Sequence, residues 1–406
     1  MFCKSLKLAL CISLIGAGAS YASADKIEAI SDSDAQKMCT EATNWTPVLI
    51  QACFAPRPFA GSENEWHLTY DLQLQNISKH PATIKRIEVL GRKGNGEWKA
   101  IKIIEGAELQ SHMHTILKEN KKNVLPGAQN AFAFVNLNFA DRADVPDTLK
   151  HRLMLNTIDL MGVPSLYDYK GAQIKVESEA PVRISPPLRG GKWVACGGYA
   201  GLTGHRTANF PVDNGMHAAQ TFAIDWVRID EKGYSVSDTK TCEGNACYDQ
   251  PIYAVADGVV IGCNTRFPNQ VPYKPTGRDR MLWAGGNSVV IKMDNGYYAF
   301  YAHMKPGSTK VKAGDRVVRG QQIGNVGNSG NSTGPHLHMH VTRDPGILQA
   351  DGVPYVFDEF EVVGEVDMDN FFENDSKAKV QTVSESKYKG EHRDQLPREG
   401  HVVIFK

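Results

Sequence analysis

The stretch "GNSGNSTGPHLHMHV", residues 327–341, places three histidines at alternate positions after a loop of glycine, asparagine and serine. In an extended strand, residues i, i+2 and i+4 share one face, so His336, His338 and His340 are expected to point the same way. A catalytic zinc site uses about three nitrogen or oxygen ligands and keeps one position open. The pattern therefore predicts a strand that presents imidazoles to a common point.

Two other predicted strands add residues of the same chemistry. "YAHM" contributes His303, and "TFAIDW" contributes Asp225, an aspartate inside an apolar strand. A carboxylate in that setting is costly unless it is paired or bound to a metal. An isolated H-x-H pair is usually structural, but the added histidine and aspartate favour a metal site.

Strand patterns dominate both halves of the chain and predict an all-β fold. Apolar and polar residues alternate in "HLTYDLQLQNIS" (67–78) and "NAFAFVNLNF" (130–139), with turn signals between such stretches. This predicts an N-terminal, immunoglobulin-like β-sandwich over residues 25–177. Residues 194–363 are again strand-rich, with hairpin turns such as "MDNGYY", and predict a second, antiparallel β-sheet domain.

The remaining segments differ in composition. Residues 178–193 hold three prolines and a Gly-Gly pair and predict a linker. Residues 364–406 form a charged tail that opens with acidic residues and closes on "GHVVIFK", which predicts an edge strand for a neighbouring sheet.

The N-terminus has the features of a signal peptide. Lys4 and Lys7 precede the apolar stretch "LALCISLIGAGA", and Ala22-Ser23-Ala24 follows as a cleavage signal, so residues 1–24 are expected to be removed on export to the periplasm or the cell exterior. A lipid anchor on Cys11 is less favoured, because the preceding Leu10 is bulkier than lipoprotein processing normally accepts. Since no later stretch approaches 18 unbroken apolar residues, no stable membrane insertion is expected after cleavage.

The net charge of the chain bears on its binding partners, and the number of cysteines bears on whether disulfides form. The chain holds 45 basic and 45 acidic residues, and loss of two signal-peptide lysines leaves a formal charge of −2, so no nucleic-acid partner is expected. Six cysteines remain, and an even number in an exported protein predicts disulfides. Their layout favours Cys39–Cys53, Cys242–Cys247 and Cys196–Cys263. A structural zinc site is the poorer alternative because no pair has C-x2-C spacing.

Together, "ADGVV", "YAHM", "AGDRVVRGQQIG" and "GNSGNSTGPHLH" resemble the lysostaphin-like, LytM-type zinc endopeptidases that cut peptidoglycan peptides. The resemblance spans roughly residues 190–360. It implies metal-assisted peptide hydrolysis with one zinc ion per chain. It also implies roles for single residues: His336 and His303 are catalytic, whereas His338 and Asp225 bind zinc.

The third zinc ligand is ambiguous on the same resemblance. The family usually has a histidine four residues before the aspartate, where this chain has Thr221. His205 and His217 are the candidates. A hairpin around "DNG" (213–215) would pair positions whose numbers sum to about 428, which brings His205 near Asp225 and leaves His217 roughly 26 Å away along the strand. We therefore favour His205, while His217 stays open if residues 218–222 form a loop.

His340 departs from the family pattern, which has an acidic or amide side chain there. It lies roughly 6–7 Å beyond His338 along the strand and is expected to support the site rather than to bind the metal.

The expected activity is that of an exported zinc metalloendopeptidase acting on stem or cross-bridge peptides of peptidoglycan. Two rival functions remain. One is a catalytically silent LytM-type module that binds and activates another cell-wall hydrolase. The other is a metal-sequestering extracellular binding protein, which does not account for the glycine-rich loop.

Overall fold

The computed structural model describes residues 45–115, 123–274 and 284–406. The predicted signal peptide and Cys39 lie outside these ranges. Residues Thr46–Lys406 form one compact unit, so the predicted domain boundaries near residues 177 and 193 remain predictions. Within the described ranges, no helix is both long and apolar enough to cross a membrane.

The N-terminal half consists of two antiparallel sheets, each with five strands among the described residues. The first contains β1 (Val48–Ala52), β2 (Phe59–Ala60), β3 (Trp66–Asn76), β6 (Met113–Thr115) and β8 (Asn130–Phe139). The second contains β4 (Ala82–Arg92), β5 (Lys99–Glu105), β7 (Val124–Leu125), β9 (Thr148–Ile158) and β10 (Pro164–Lys175), and helix α1 (Gly106–His112) joins β5 to β6. The two sheets contribute to one hydrophobic core, while the immunoglobulin-like topology remains a prediction.

Alternation along β3 decides which of its residues enter that core. Leu68, Tyr70 and Leu72 point into the core that the two sheets share. The intervening Thr69 and Asp71 lie on the opposite face, yet they are also buried. The outer face of β3 is therefore covered by another part of the chain.

Ten of the described strands form one antiparallel sheet in the C-terminal half. In spatial order they are β20 (Arg316–Val317), β17 (Gly258–Asn264), β18 (Ser288–Met293), β19 (Tyr298–Ala302), β22 (Leu337–Thr342), β15 (Ile224–Ile229), β12 (Lys192–Gly197), β26 (His401–Ile404), β24 (Phe360–Glu365) and β25 (Gly390–His392). Three strand pairs flank it: β11 (Val182–Ile184) with β23 (Tyr355–Phe357), β13 (Phe210–Val212) with β14 (Gly215–His217), and β16 (Pro251–Tyr253) with β21 (Gln322–Asn325). The all-β prediction is confirmed.

The histidine strand β22 is buried on both faces. Leu337, Met339 and Val341 enter the main core of this half, where burial of each side chain contributes about 1.5–3 kcal/mol. The histidines occupy the alternate positions and point to the opposite face. The apolar set therefore fixes the register that aims His338 and His340 away from the core.

The C-terminal tail, residues 364–406, contains a helix and two further strands of the large sheet. Asp367 caps helix α2 (Met368–Ser376) by accepting a hydrogen bond from the amide of Asn370 at 2.9 Å. Strand β26 pairs with both β12 and β24. It is thus an interior strand of the large sheet, and the prediction of an edge strand there was wrong.

The predicted linker is also part of the fold. Within residues 178–193, Val182 and Ile184 of β11 enter the main core, and β11 pairs in parallel with β23. Pro186, Pro187, Gly190 and Gly191 lie in the irregular segment between β11 and β12.

The structure contradicts two of the three predicted disulfides. Within the described ranges, Cys53, Cys196, Cys242, Cys247 and Cys263 are all free thiols. Cys196 lies on β12 and Cys263 on β17, five strands apart in the sheet, or about 24 Å at 4.8 Å per step. The thiols of Cys242 and Cys247 donate to different carbonyl oxygens, those of Gln270 and Pro335. Neither of these two pairs therefore forms the predicted disulfide.

We expect the thiols of Cys196, Cys242, Cys247 and Cys263 to be free in protein purified without reductant. Alkylation in denaturant, followed by peptide mass spectrometry, should find all four modified. A crosslinked peptide joining Cys196 to Cys263, or Cys242 to Cys247, would contradict the strand arrangement described above.

Candidate metal centre

Pairing between three neighbouring strands brings the candidate residues together. Asp225 on β15 lies directly opposite His338 on β22, and Ala302 at the end of β19 lies opposite the same histidine. His303 follows β19 immediately. The non-core face of the sheet therefore gathers an aspartate and two histidines that are far apart in sequence.

The side chains of His205, Asp225 and His338 form a compact ligand set. Nε2 of His205 lies 3.2 Å from Oδ2 of Asp225, and Nδ1 of His338 lies 2.9 Å from Oδ1. One ligand atom from each residue can be chosen so that all three lie within 4.8 Å of one another. Tetrahedral zinc with bonds of about 2.0–2.1 Å separates its ligand atoms by about 3.4 Å, so two imidazoles and one carboxylate fit this metal in number, type and spacing.

The charge state of Asp225 suits a ligand. Burial disfavours the carboxylate form, but the neighbouring His205 and His336 outweigh it and hold the pKa of Asp225 well below its ordinary value. Asp225 in turn outweighs burial and raises the pKa of His205. The carboxylate is thus ionised, as an oxygen ligand must be, and His205 would release its proton on binding a metal.

His303 and His336 face each other at the same cleft, with ring centroids 4.6 Å apart. Nδ1 of His303 donates to the Ser329 carbonyl and Nδ1 of His336 donates to the Gly334 carbonyl, both at 2.8 Å. Each bond places a proton on Nδ1, and Nε2 of His336 lies 3.4 Å from Oδ1 of Asp225. Burial, assisted by His336 and His338, lowers the pKa of His303 well below its ordinary value, which favours the neutral imidazole.

The backbone at His303 has an uncommon conformation. Its φ is +60°, in the left-handed region that residues other than glycine seldom occupy. A hydrogen bond from its amide to the Gly285 carbonyl, 2.9 Å long, holds the turn. Such strain is maintained only where the surroundings fix it, which is typical of functional positions.

His340 lies behind His338 and not at the cleft. Its Nδ1 is 2.9 Å from Nε2 of His338, and its fully buried ring packs against Phe300 with 4.9 Å between ring centroids. A partner on the second nitrogen of a ligating imidazole orients the ring. The geometry thus agrees with a supporting role for His340.

The position of His205 follows from a different arrangement than the sequence predicts. The hairpin around Asp213 exists, but its ladder spans only Phe210↔His217 to Val212↔Gly215, and residues 218–223 form a turn. The predicted long hairpin, whose ladder would bring residue 205 opposite residue 223, was therefore wrong. His205 nonetheless contacts Asp225, whereas Nδ1 of His217 lies 3.8 Å from Oδ1 of Asp351.

Gly197, on β12, is a site residue that sequence reasoning missed. Its φ is +91°, and a Cβ there would lie 2.9 Å from Nδ1 of His205 and 3.1 Å from the Ala223 carbonyl oxygen. Only glycine allows the imidazole to approach this closely. The Gly-Gly pair that ends an apolar strand was the available signal.

The glycine-rich loop forms one wall of the cleft. A Cβ at Gly330 would lie 2.4 Å from the backbone nitrogen of Gly286, and one at Gly286 would lie 2.4 Å from the backbone carbon of Ser329. The loop therefore packs backbone against backbone, which accounts for glycine at both positions. The cleft beside it, about 260 Å³ in volume, is lined by His205, Asp225, His303, His336 and His338 together with small and polar residues of the loop.

Residues 240–349 match the model of peptidase family M23. The chain contains a peptidase family M23 domain. This confirms the resemblance drawn from the sequence motifs. The matched residues include His303, His336 and His338, whereas His205 and Asp225 precede them.

Two curated relatives of the M23 domain illustrate the similarity. The peptidoglycan DD-endopeptidase ShyA of Vibrio cholerae is 40% identical over 91 residues, which are 22% of this chain and 17% of ShyA. The cell division protein DipM of Caulobacter vibrioides is 33% identical over 92 residues, 21% of this chain and 15% of DipM. The match thus spans less than a fifth of either relative.

Among solved structures, the catalytic domain of the prophage-encoded M23 protein EnpA from Enterococcus faecalis, a mutant form, is 25% identical. The matched region is 41% of this chain and 92% of the EnpA chain, with a TM-score of 0.25.

Replacement of Gly197 by alanine should weaken metal binding roughly tenfold or more, because the new methyl group displaces His205. Gly296→Ala is the matched control, since Gly296 also has a φ of +91° but a Cβ placed there would meet no contact within 4 Å. Both variants share the backbone strain, and only Gly197→Ala should bind zinc more weakly in a chelator competition. Equal affinities in the two variants would contradict the contact between Gly197 and His205.

Proposed function

We propose that this chain is an exported zinc metalloendopeptidase that hydrolyses peptide bonds in the stem or cross-bridge peptides of peptidoglycan. The observation that carries the proposal is the convergence of His205, Asp225 and His338 beside a second pair of histidines, His303 and His336, at the same cleft. A metal-binding protein without catalysis has no need of the second pair. The M23 family of the domain supports the same reaction class.

His205, Asp225 and His338 would hold one zinc ion. When bound, zinc supplies a Lewis acid that polarises the scissile carbonyl and lowers the pKa of water. His340 would orient His338 through the contact between Nδ1 and Nε2, and Gly197 would allow His205 to reach the ion.

His303 and His336 would carry out the proton transfers of peptide hydrolysis. His303 is neutral and can take a proton at Nε2. His336 lines the cleft beside His303 and can donate a proton to the leaving amine or stabilise negative charge on the carbonyl oxygen. Two neighbouring imidazoles at the cleft can divide the roles of base and acid between them.

The form of the cleft supports a slim peptide substrate. The small residues Gly285, Ala302 and Ser332 line it beside the histidines, and Phe300, Ile347 and Leu348 also contribute to its lining. A peptide main chain, such as that of a peptidoglycan stem or cross-bridge peptide, can lie beside these small residues. The name of the relative ShyA, a peptidoglycan DD-endopeptidase, agrees with such a substrate. Export is part of the proposal because that substrate lies outside the cytoplasm.

The purified chain should contain about one zinc ion and release soluble fragments from dye-labelled sacculi. Chelation should abolish the release, and added zinc should restore it. Zinc content without hydrolysis would favour the silent activator or the metal-sequestering protein, and these two differ in whether the chain stimulates a second hydrolase. Full activity of metal-free protein would contradict the proposal.

Single substitutions should separate the ligands from the proton-transfer pair. His205→Ala, Asp225→Ala and His338→Ala should lose zinc, because two remaining ligands cannot retain the ion. His303→Ala and His336→Ala should keep most of the zinc and lose turnover by roughly 10²–10⁴-fold. His217→Ala is the control for His205→Ala and should keep both zinc and activity. Zinc loss in His217→Ala with retention in His205→Ala would reverse the ligand assignment.

A further inference from the structure

His205 differs from the other two proposed ligands in how its backbone is held. Asp225 and His338 lie on paired strands inside the large sheet. His205 lies in a turn, in which the amide of Thr207 donates to the Thr203 carbonyl and the amide of Ala208 donates to the His205 carbonyl, both at 3.1 Å. Local hydrogen bonds of this kind shape the turn but do not fix it against Asp225.

The residue after His205 supplies the missing anchor. The side chain of Arg206 is completely buried and forms an ion pair with Asp71 of β3, whose side chain is also completely buried. Nη2 of Arg206 also donates to the Tyr70 carbonyl at 2.8 Å. The guanidinium further lies over the ring of Phe134 on β8, 5.0 Å from its centroid. The turn is thus fixed to the first sheet of the N-terminal half.

A second residue of the same segment reaches the same carboxylate. Nδ2 of Asn209 donates to Oδ2 of Asp71 at 2.8 Å, while Arg206 occupies Oδ1. Both oxygens of Asp71 therefore hold residues within four positions of His205. This accounts for the buried aspartate on the outer face of β3, which would otherwise be a costly group to exclude from water.

A second contact joins the N-terminal and C-terminal halves at a place remote from His205, so the halves are not held together by Asp71 alone. Arg57, which precedes β2, donates to the hydroxyl of Tyr297 at 2.9 Å, and that hydroxyl donates to Glu179 at 3.0 Å. Tyr297 lies in the turn between β18 and β19, at the opposite end of β19 from His303. This contact joins the halves without touching the segment that carries His205.

From these contacts we propose that Asp71 is a positioning residue for His205, so that the N-terminal half completes the metal site of the M23 domain. The inference rests on the ligand set of the proposed function. A neutral side chain at position 71 leaves Arg206 charged and buried without its partner, and relief of that state requires the turn to move. Because His205 is the adjacent residue, the movement withdraws its imidazole from Asp225.

The test measures zinc affinity of the full chain by competition with a chromophoric chelator. Asp71→Asn keeps the shape of the side chain and should weaken zinc binding by roughly 10–100-fold, as is typical when the support of a ligand is lost. Asn209→Ala removes only one of the contacts to Asp71 and should weaken binding less. Tyr297→Phe is the matched control and should bind zinc as the unmodified chain does.

The absorption spectrum of the cobalt-substituted protein reports the geometry of the metal ligands directly, separately from the overall stability of the fold. Altered ligand geometry in Asp71→Asn should shift the visible bands of bound Co²⁺, whereas Tyr297→Phe should leave them in place. If Asp71→Asn does not fold, Asn209→Ala decides by the same two measurements.

Three results would overturn the inference. Unchanged zinc affinity and cobalt spectrum in Asp71→Asn and Asn209→Ala, with normal binding by the unmodified chain, would refute the positioning role alone. Equal weakening in Tyr297→Phe would show that any contact between the halves has the same effect. Failure of the unmodified chain to bind zinc would instead remove the proposed metal site, and this inference with it.

Discussion

Asp225 places a carboxylate on a strand whose neighbouring positions, Ile224 and Trp226, are fully buried in the main core. The carboxylate is partly buried itself, with 26% of its side chain exposed, and it lies within 3.4 Å of nitrogens from His205, His336 and His338. A charge in this setting requires partners of opposite charge or a cation. The contacts among these four residues make the carboxylate stable, and they also define where a metal would be held.

The large sheet provides the rigidity that this arrangement needs. Register between β15 and β22 sets Asp225 opposite His338, and that register is fixed by apolar residues on the core face. A slip of one residue would turn the histidines into the main core and turn Leu337 and Met339 towards the metal site. The packing of the core therefore also keeps the side chains of Asp225 and His338 opposite each other.

Much of the site was predictable because its signals are local. Alternation identified the face of His336, His338 and His340, and an acid within an apolar strand identified Asp225. The contact between His205 and Asp225 was expected, but for a reason that was wrong, since the hairpin is short and the anchor of the turn is Asp71. The alternation of β3 gives Asp71 an outward position and cannot reveal that another part of the chain covers it. The disulfide prediction from cysteine spacing failed because the order of strands in the sheet, which the spacing does not reveal, places Cys196 and Cys263 far apart.

Anomalous diffraction at the zinc absorption edge, from crystals of the zinc-loaded full chain, tests the central claim most directly. We expect one strong peak bonded to Nε2 of His205, a carboxylate oxygen of Asp225 and Nδ1 of His338, with His303 and His336 beyond bonding distance. A peak held by His217 and Asp351, or by His303 and His336, would contradict the assignment of ligands and of proton-transfer residues alike.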